Sequence, residues 1–380
     1  MDQVFANARI VTADEVFTGS VAISGDRIVG MDRGAAVPAG AMDLGGEWLL
    51  PGFVELHTDN LEKHVGPRPG VRWPMLSAIL AHDAQIAAAG ITTVFDAVAI
   101  GVSEKDKDFL RRDMLQEAVN TLLRIQNDGL GKAEHFLHLR CEVANEGVPD
   151  MVAPLLENPL ARLVSLMDHT VGQRQFVDEA KFREYYQGRF GFNDAQMDAM
   201  IERGKLDAAL YSDVNRRDIV AMCALRGVPM ASHDDATLAH VEESLSLGLT
   251  IAEFPTTVVA AQAAREGGMR TIMGAPNVVR GGSHSGNISA AELARRDLLD
   301  CLSSDYVPAS LGHAAFMLHD TEGVKLPDAV AKISLNPARM IGLDDRGEIA
   351  IGKRADLVRI ALADRIPVIR QVWRAGERVI

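Results

Sequence analysis

Between about residues 50 and 345, short apolar runs alternate with stretches of helical periodicity, and this alternation constrains the fold more than any other feature of the chain. Strand-sized runs lie at 53–59, 91–97, 135–142, 163–168, 229–233, 250–254, 271–273 and 302–305. Helical patterns recur at 77–89, 109–125 and 215–225. Parallel strands require a crossover between them, so this texture is that of βαβ units. Eight such runs predict an α/β fold, a (β/α)8 TIM-type barrel. Nothing strand-like separates Ala99 from the next helix, which leaves the strand numbering open. Residues 178–213, with Tyr185-Tyr186 and many charges, read as an insertion able to cover a site.

Both chain ends read as β structure. Runs at 4–11, 20–24 and 27–31 are joined by a Gly25-Asp26 hairpin turn, and runs at 356–361, 367–373 and 377–380 by a turn at Ala375-Gly376. The expectation is a small β-sandwich domain made from residues 1–49 and 346–380, beside a barrel of residues 50–345. With 47% hydrophobic and 24% charged residues, the chain has ample apolar mass for a large core and is not disordered. Its formal charge of -13 disfavours a nucleic-acid or anionic-membrane partner, which would call for a basic face. Three cysteines without CxxC spacing, no leader-like N-terminus and no long apolar run predict a soluble, cytoplasmic protein, and leave a homo-oligomer open.

The chemistry is written at the ends of the apolar runs. Three end in histidine with acids alongside: Glu55-Leu56-His57-Thr58-Asp59, Leu166-Met167-Asp168-His169 and Ala231-Ser232-His233-Asp234-Asp235. Two others end in a carboxylate, Glu142 and Asp305. In a barrel, residues at strand C-terminal ends converge on one face whatever their separation in sequence. His57 and Asp59, two apart on a strand, point to the same side, as two ligands of one metal must. A single such histidine is ordinarily a satisfied surface or core residue. Six together (His57, Asp59, Glu142, His169, His233 and Asp305) are what a two-metal hydrolytic site needs, with Glu142 placed to bridge. This donor set suits zinc, manganese or iron, and zinc is favoured.

These residues resemble the amidohydrolase superfamily, as does the tail from Asn336-Pro337-Ala338-Arg339 through Asp345-Arg346-Gly347-Glu348-Ile349 to Gly352-Lys353-Arg354-Ala355-Asp356-Leu357. Asp59 stands where most members carry a second histidine, and Glu142 where many use a carboxylated lysine. Both departures, with the stretches at 57–64, 67–73, 81–85, 90–96, 172–176 and 274–287, are similar to a branch that hydrolyses a phosphonate-bearing ribose triphosphate in phosphonate catabolism. The resemblance implies two divalent metal ions, one held by His57, Asp59 and Asp305, the other by His169 and His233, with Glu142 between them. It also implies Asp305 as the catalytic proton acceptor, and pyrophosphate as the leaving group.

Such a centre is close to neutral, so a triphosphate needs further cations. Loops beside the expected ligands offer Lys63, His64, Arg68, Arg72, Arg174 and Arg280, and Gly281-Gly282-Ser283 could form an anion nest next to His284. The plainer readings are that the glycines shape a turn and that Lys63 and Arg68 are solvated charges. A hydrolase of cyclic amides or a nucleobase deaminase is the competing activity, predicting few cations at the site. A non-catalytic scaffold of the same fold is a third reading, which the full set of six ligands disfavours.

Overall fold

The computed structural model describes residues 2–68, 70–101, 112–176, 179–283 and 286–380. The chain opens with β1 (Gln3–Val11), β2 (Val16–Ser24), β3 (Arg27–Arg33), β4 (Met42–Asp43) and β5 (Trp48–Pro51). It continues through β6 (Phe53–Thr58), β7 (Ile91–Ile100), β8 (Glu134–Glu142), β9 (Ala161–Met167), β10 (Met230–His233), β11 (Ile251–Glu253), β12 (Arg270–Gly274) and β13 (Cys301–Ser303). It ends with β14 (Leu357–Ala363), β15 (Ile366–Arg374) and β16 (Glu377–Arg378).

Strands β6 to β13 form one eight-stranded sheet in strict chain order. Its strands pair in parallel, as in β6 with β7, β8 with β9 and β10 with β11. The first and last strands meet at their C-terminal ends, where Thr58 bridges Asp305, Asp59 N donates to Asp305 O (2.9 Å) and Asp305 N to His57 O (3.1 Å). This is the (β/α)8 barrel expected from the alternation. All ten residues of β7 are buried, as strands covered on both faces must be, which explains the unbroken apolar reading of Ile91-Thr92-Thr93-Val94-Phe95.

The terminal strands build a second sheet in the order β16-β15-β14-β5-β1-β2-β3, with β4 beside β1. The sandwich is a single sheet folded over on itself. Phe5 on β1 and Trp373 on β15 are three ladder steps apart, about 14 Å in a flat sheet, yet their ring centroids lie 4.6 Å apart. They share a core with Ile10, Ile23, Leu49 and Leu357. Gly25-Asp26 and Ala375-Gly376 are two-residue hairpin turns as predicted. Gly376, at φ +80°, touches the other turn so closely that a Cβ there would meet Gly25 O at 2.0 Å.

The chain divides into two compact units, one of Met1–Asp96, Gln116–Phe136 and Met273–Ile380, the other of Ala97–Leu115 and Leu137–Ile272. In the second, the stretch read as an insertion is mostly helical from Glu179 onwards. A helix at Glu179–Phe190 is followed by one 33-residue helix, Asp194–Arg226, which absorbs the shorter helix expected at 215–225. Asn193 and Gln196 form a capping box at its start, and Gly227 in the left-handed region ends it. Exposed Leu206 and Leu210 blur its amphipathic pattern, which is why helical periodicity is evident only at 215–225. Among the described residues no helix is long and apolar enough to cross a membrane.

Candidate metal centre

In the first unit, β6 delivers His57 at its penultimate position and Asp59 one residue past its end, while Asp305 follows β13. Ligand atoms of His57, Asp59 and Asp305 lie within 4.8 Å of one another, with His57 Nε2 3.4 Å from Asp59 Oδ1. The backbone bonds that join β6 to β13 thus also set this group. Asp305 takes φ +52°, a conformation an aspartate tolerates better than most residues. Beneath it the Glu55 carboxylate accepts from His57 N (2.7 Å) and Ser304 N. Burial pushes the Glu55 carboxyl up to about 7, against the pull of those donors from Ser304 and His57.

In the second unit, His169, His233 and Asp234 form another group of the same size. His169 Nδ1 lies 2.6 Å from Glu142 Oε2, and His233 Nδ1 lies 2.8 Å from Glu253 Oε2. Both rings therefore present Nε2 towards Asp234 Oδ2, at 4.0 Å and 3.4 Å. A carboxylate on one ring nitrogen and a free lone pair on the other is how metal-binding histidines are oriented. Burial disfavours charge on His169, but the Glu142 carboxylate outweighs it and raises the pKa. The aromatic rings of Phe176, Phe182 and Tyr186 stack in succession next to His169, carried by the helix at Glu179–Phe190 and the turn before it.

Two acids here stand outside the expected ligand set: Asp234, a member of the group, and Glu253, the partner of His233. Neighbouring residues on a strand face opposite ways, so regular β geometry would point Asp234 away from His233. The left-handed turn at Asp234, φ +58°, brings its carboxylate back to the same side. Glu253 did carry a signal, since it is a carboxylate next to last in the apolar run 250–254.

The expected cations divide sharply. Lys63 and His64 sit on a short helix, Leu61–Val65, immediately after Asp59. Lys63 Nζ donates to Tyr306 O (2.7 Å), and His64 Nε2 lies 2.9 Å from Gln85 Oε1. Arg68 is exposed in a turn bridged to Val71, and Arg72 is paired with Glu117. Arg174 is 5% exposed and already bound to Asp235 and, at 2.9 Å, to Glu243, so its charge is consumed inside the fold. Arg280 is exposed and has no ion pair among the described residues. The N–H groups of Gly281 and Gly282 donate to Val278 O (3.1 Å) and Asn277 O (2.8 Å), closing the helix Ala275–Val279. The expected anion nest is thereby corrected, because these donors cap a helix. Ser283 is half-buried, and His284 lies outside the described residues.

A model of the amidohydrolase family matches residues 193–380. An alpha-D-ribose 1-methylphosphonate 5-triphosphate diphosphatase from Escherichia coli (strain K12) is 49% identical over 378 residues, covering 99% of this chain and all of that one. The chain belongs to the amidohydrolase family. Its place there makes it a hydrolytic enzyme, and the family is generally metal-dependent. This amidohydrolase also superposes on solved structures of low identity, which share its fold. An N-acetylglucosamine-6-phosphate deacetylase from Pasteurella multocida aligns with TM-score 0.67 at 14% identity, over 100% of this chain and 99% of that one. A 5-methylcytosine deaminase from Klebsiella pneumoniae aligns with TM-score 0.67 at 14% identity, over 100% and 98%.

Proposed function

We propose that the protein hydrolyses alpha-D-ribose 1-methylphosphonate 5-triphosphate to the 5-phosphate and pyrophosphate, using two divalent metal ions. The observation that carries this reading is the presence of two three-donor groups at barrel strand ends in a chain 49% identical, end to end, to a relative of that activity. The donors fit metal: each group combines imidazole with carboxylate, and in the second both histidines are tautomerically committed to Nε2. His57, Asp59 and Asp305 would hold one ion, and His169, His233 and Asp234 the other, with Glu142 against His169. Mixed nitrogen and oxygen ligands suit zinc first, then manganese or iron. Bound there, divalent ions polarise phosphoryl oxygens and ease the deprotonation of water.

The chain's own residues supply the rest. Water attacks the α-phosphorus in line, its oxygen bonds to phosphorus, the bond to the β-phosphate oxygen breaks, and pyrophosphate departs with that electron pair. An Asp305 carboxylate oxygen takes the water proton. Backbone bonds to His57 and Asp59 hold the Asp305 main chain on both sides, which keeps that acceptor beside the other two donors. Two divalent ions bring four positive charges, which Asp59, Asp305, Asp234 and Glu142 cancel. The triphosphate must therefore be held by Lys63, His64, Arg68 and Arg280, which the fold leaves partly or wholly exposed.

Phosphorus NMR of zinc- or manganese-loaded protein with this substrate, beside ordinary nucleoside triphosphates, tests the proposal. Signals of pyrophosphate and of ribose 1-methylphosphonate 5-phosphate are expected, with a heavy oxygen isotope from water appearing on the 5-phosphate. An unchanged spectrum from fully metallated protein would overturn it in favour of cyclic amide or nucleobase substrates.

A further inference from the structure

The first compact unit contains a chain of buried polar side chains that the proposed reaction does not use. It starts at Asp83, on the helix Met75–Ala88, whose carboxylate accepts from Lys132 N (2.9 Å), Ala133 N (2.8 Å) and His135 Nε2 (3.1 Å). The other ring nitrogen of His135 lies 2.7 Å from Asp96 Oδ2, and Asp96 Oδ1 lies 2.6 Å from His82 Nε2. His82 Nδ1 in turn lies 3.0 Å from Asn60 Nδ2. His82, Asp83, Asp96, His135 and Asn60 are all at most 3% exposed.

The protons in this chain can be placed one by one. His135 stands between two carboxylates, so both of its nitrogens carry hydrogen. Burial opposes that charge, but Asp96 and Asp83 overcome it. Asp96, held ionised by His135, can only accept, and His82 must donate to it from Nε2. Burial keeps the His82 ring neutral, which leaves Nδ1 as a bare lone pair. Asn60 fills that lone pair with one amide hydrogen and gives the other to Gln85 Oε1 at 2.8 Å. Gln85 Oε1 also takes His64 Nε2.

Asn60 directly follows Asp59. Asp59 is thus held at its own N–H by Asp305 O, and the residue after it is held through its side chain by His82. We propose that His82 is a positioning residue for Asp59, acting through Asn60, with Asp96 setting the tautomer that makes the contact possible. The inference rests on the reading above in which Asp59 holds a metal ion.

Two conservative variants separate this role from a purely structural one. His82→Asn keeps an acceptor at the place of Nδ1, whereas His82→Gln keeps a donor at the place of Nε2 and loses the acceptor. Zinc affinity of the full chain, by chelator competition, and kcat against KM are the readouts. His82→Asn should stay within about 3-fold of wild type, while His82→Gln weakens one of the two zinc ions by about 10–100-fold and lowers kcat more than KM changes. Asn60→Ala, which keeps the contacts among Asp83, His135, Asp96 and His82, should reproduce the His82→Gln result and serves if the His82 variants do not fold.

Equal behaviour of the two His82 variants, or a reversed order, overturns the inference, since a core role favours the variant that still satisfies buried Asp96. Wild-type zinc affinity in Asn60→Ala overturns it as well. So does a third tight zinc ion per chain that His82→Gln removes, because the cluster would then itself be a metal site. Asp59→Asn is the control: if it leaves zinc binding intact, the ligand assignment fails along with the inference. If it removes zinc while the His82 and Asn60 variants do not, the inference alone fails.

Discussion

His233 Nδ1 lies 2.8 Å from the carboxylate of Glu253, a residue at the end of the next strand, and this contact commits the outward Nε2 of His233 to whatever the site binds. The orientation of a ligand is thus settled one strand away from the ligand.

Glu253→Gln tests that dependence. Its amide can face either way towards Nδ1, so the tautomer is no longer enforced. Metal affinity should fall by about 10–100-fold, read by chelator competition, with little change in fold by circular dichroism. Unchanged affinity would show that the His233 ring is held by its packing alone.

Asp305→Asn keeps the oxygen that can touch a metal and removes the proton acceptor. Turnover should drop by about 10²–10⁴-fold while bound metal largely survives, measured by phosphorus NMR and elemental analysis on the same sample. Near-wild-type rates would reassign the base.

Arg174→Met separates a substrate contact from a buried ion pair. Because Arg174 is 5% exposed and bound to Asp235 and Glu243, its loss leaves the buried Asp235 carboxylate without its charged partner, while Glu243 keeps Arg216. Urea unfolding should show a loss of about 3–5 kcal/mol, with KM of the folded protein unchanged. A raised KM at full stability would return Arg174 to the substrate site.

His135 gives the stability of the protein a pH signature. Burial works against its charge, but Asp96 and Asp83 raise its pKa to about 9. A raised folded pKa contributes stability that is complete below the unfolded value near 6.5 and is lost as pH rises through about 9. Asp96, held below the usual carboxylate range, works in the opposite sense, its contribution present above the unfolded value and lost on acidification. Unfolding free energy should therefore decline by up to about 3 kcal/mol between neutral and alkaline pH. In His135→Gln that slope should become shallower, leaving the part carried by His169, whose pKa Glu142 also raises.

Much of this architecture is legible locally. Each of the eight barrel strands falls on an expected apolar run, because a strand buried on both faces has to be written as a block of apolar residues. The groups at His57, Asp59 and Asp305 and at His169 and His233 are legible for a related reason, since parallel strands carry their C-terminal ends to one face. The long helix at Asp194–Arg226 was harder to read, as its exposed leucines and dense charges obscure any single apolar face.

What the sequence by itself determined is therefore the set of strands, the small terminal sheet and the chemical type of the ligands, all of which depend on periodicity and on residue identity at run ends. Tertiary structure alone decided how individual groups are used. It turned Asp234 back beside His233 through a left-handed residue, spent Arg174 on Asp235 and Glu243, and used the N–H groups of Gly281 and Gly282 to close a helix. The physical reason is that a donor, a charge or a lone pair can serve only one strong partner at a time. Which partner arrives first is set by contacts between residues far apart in the chain.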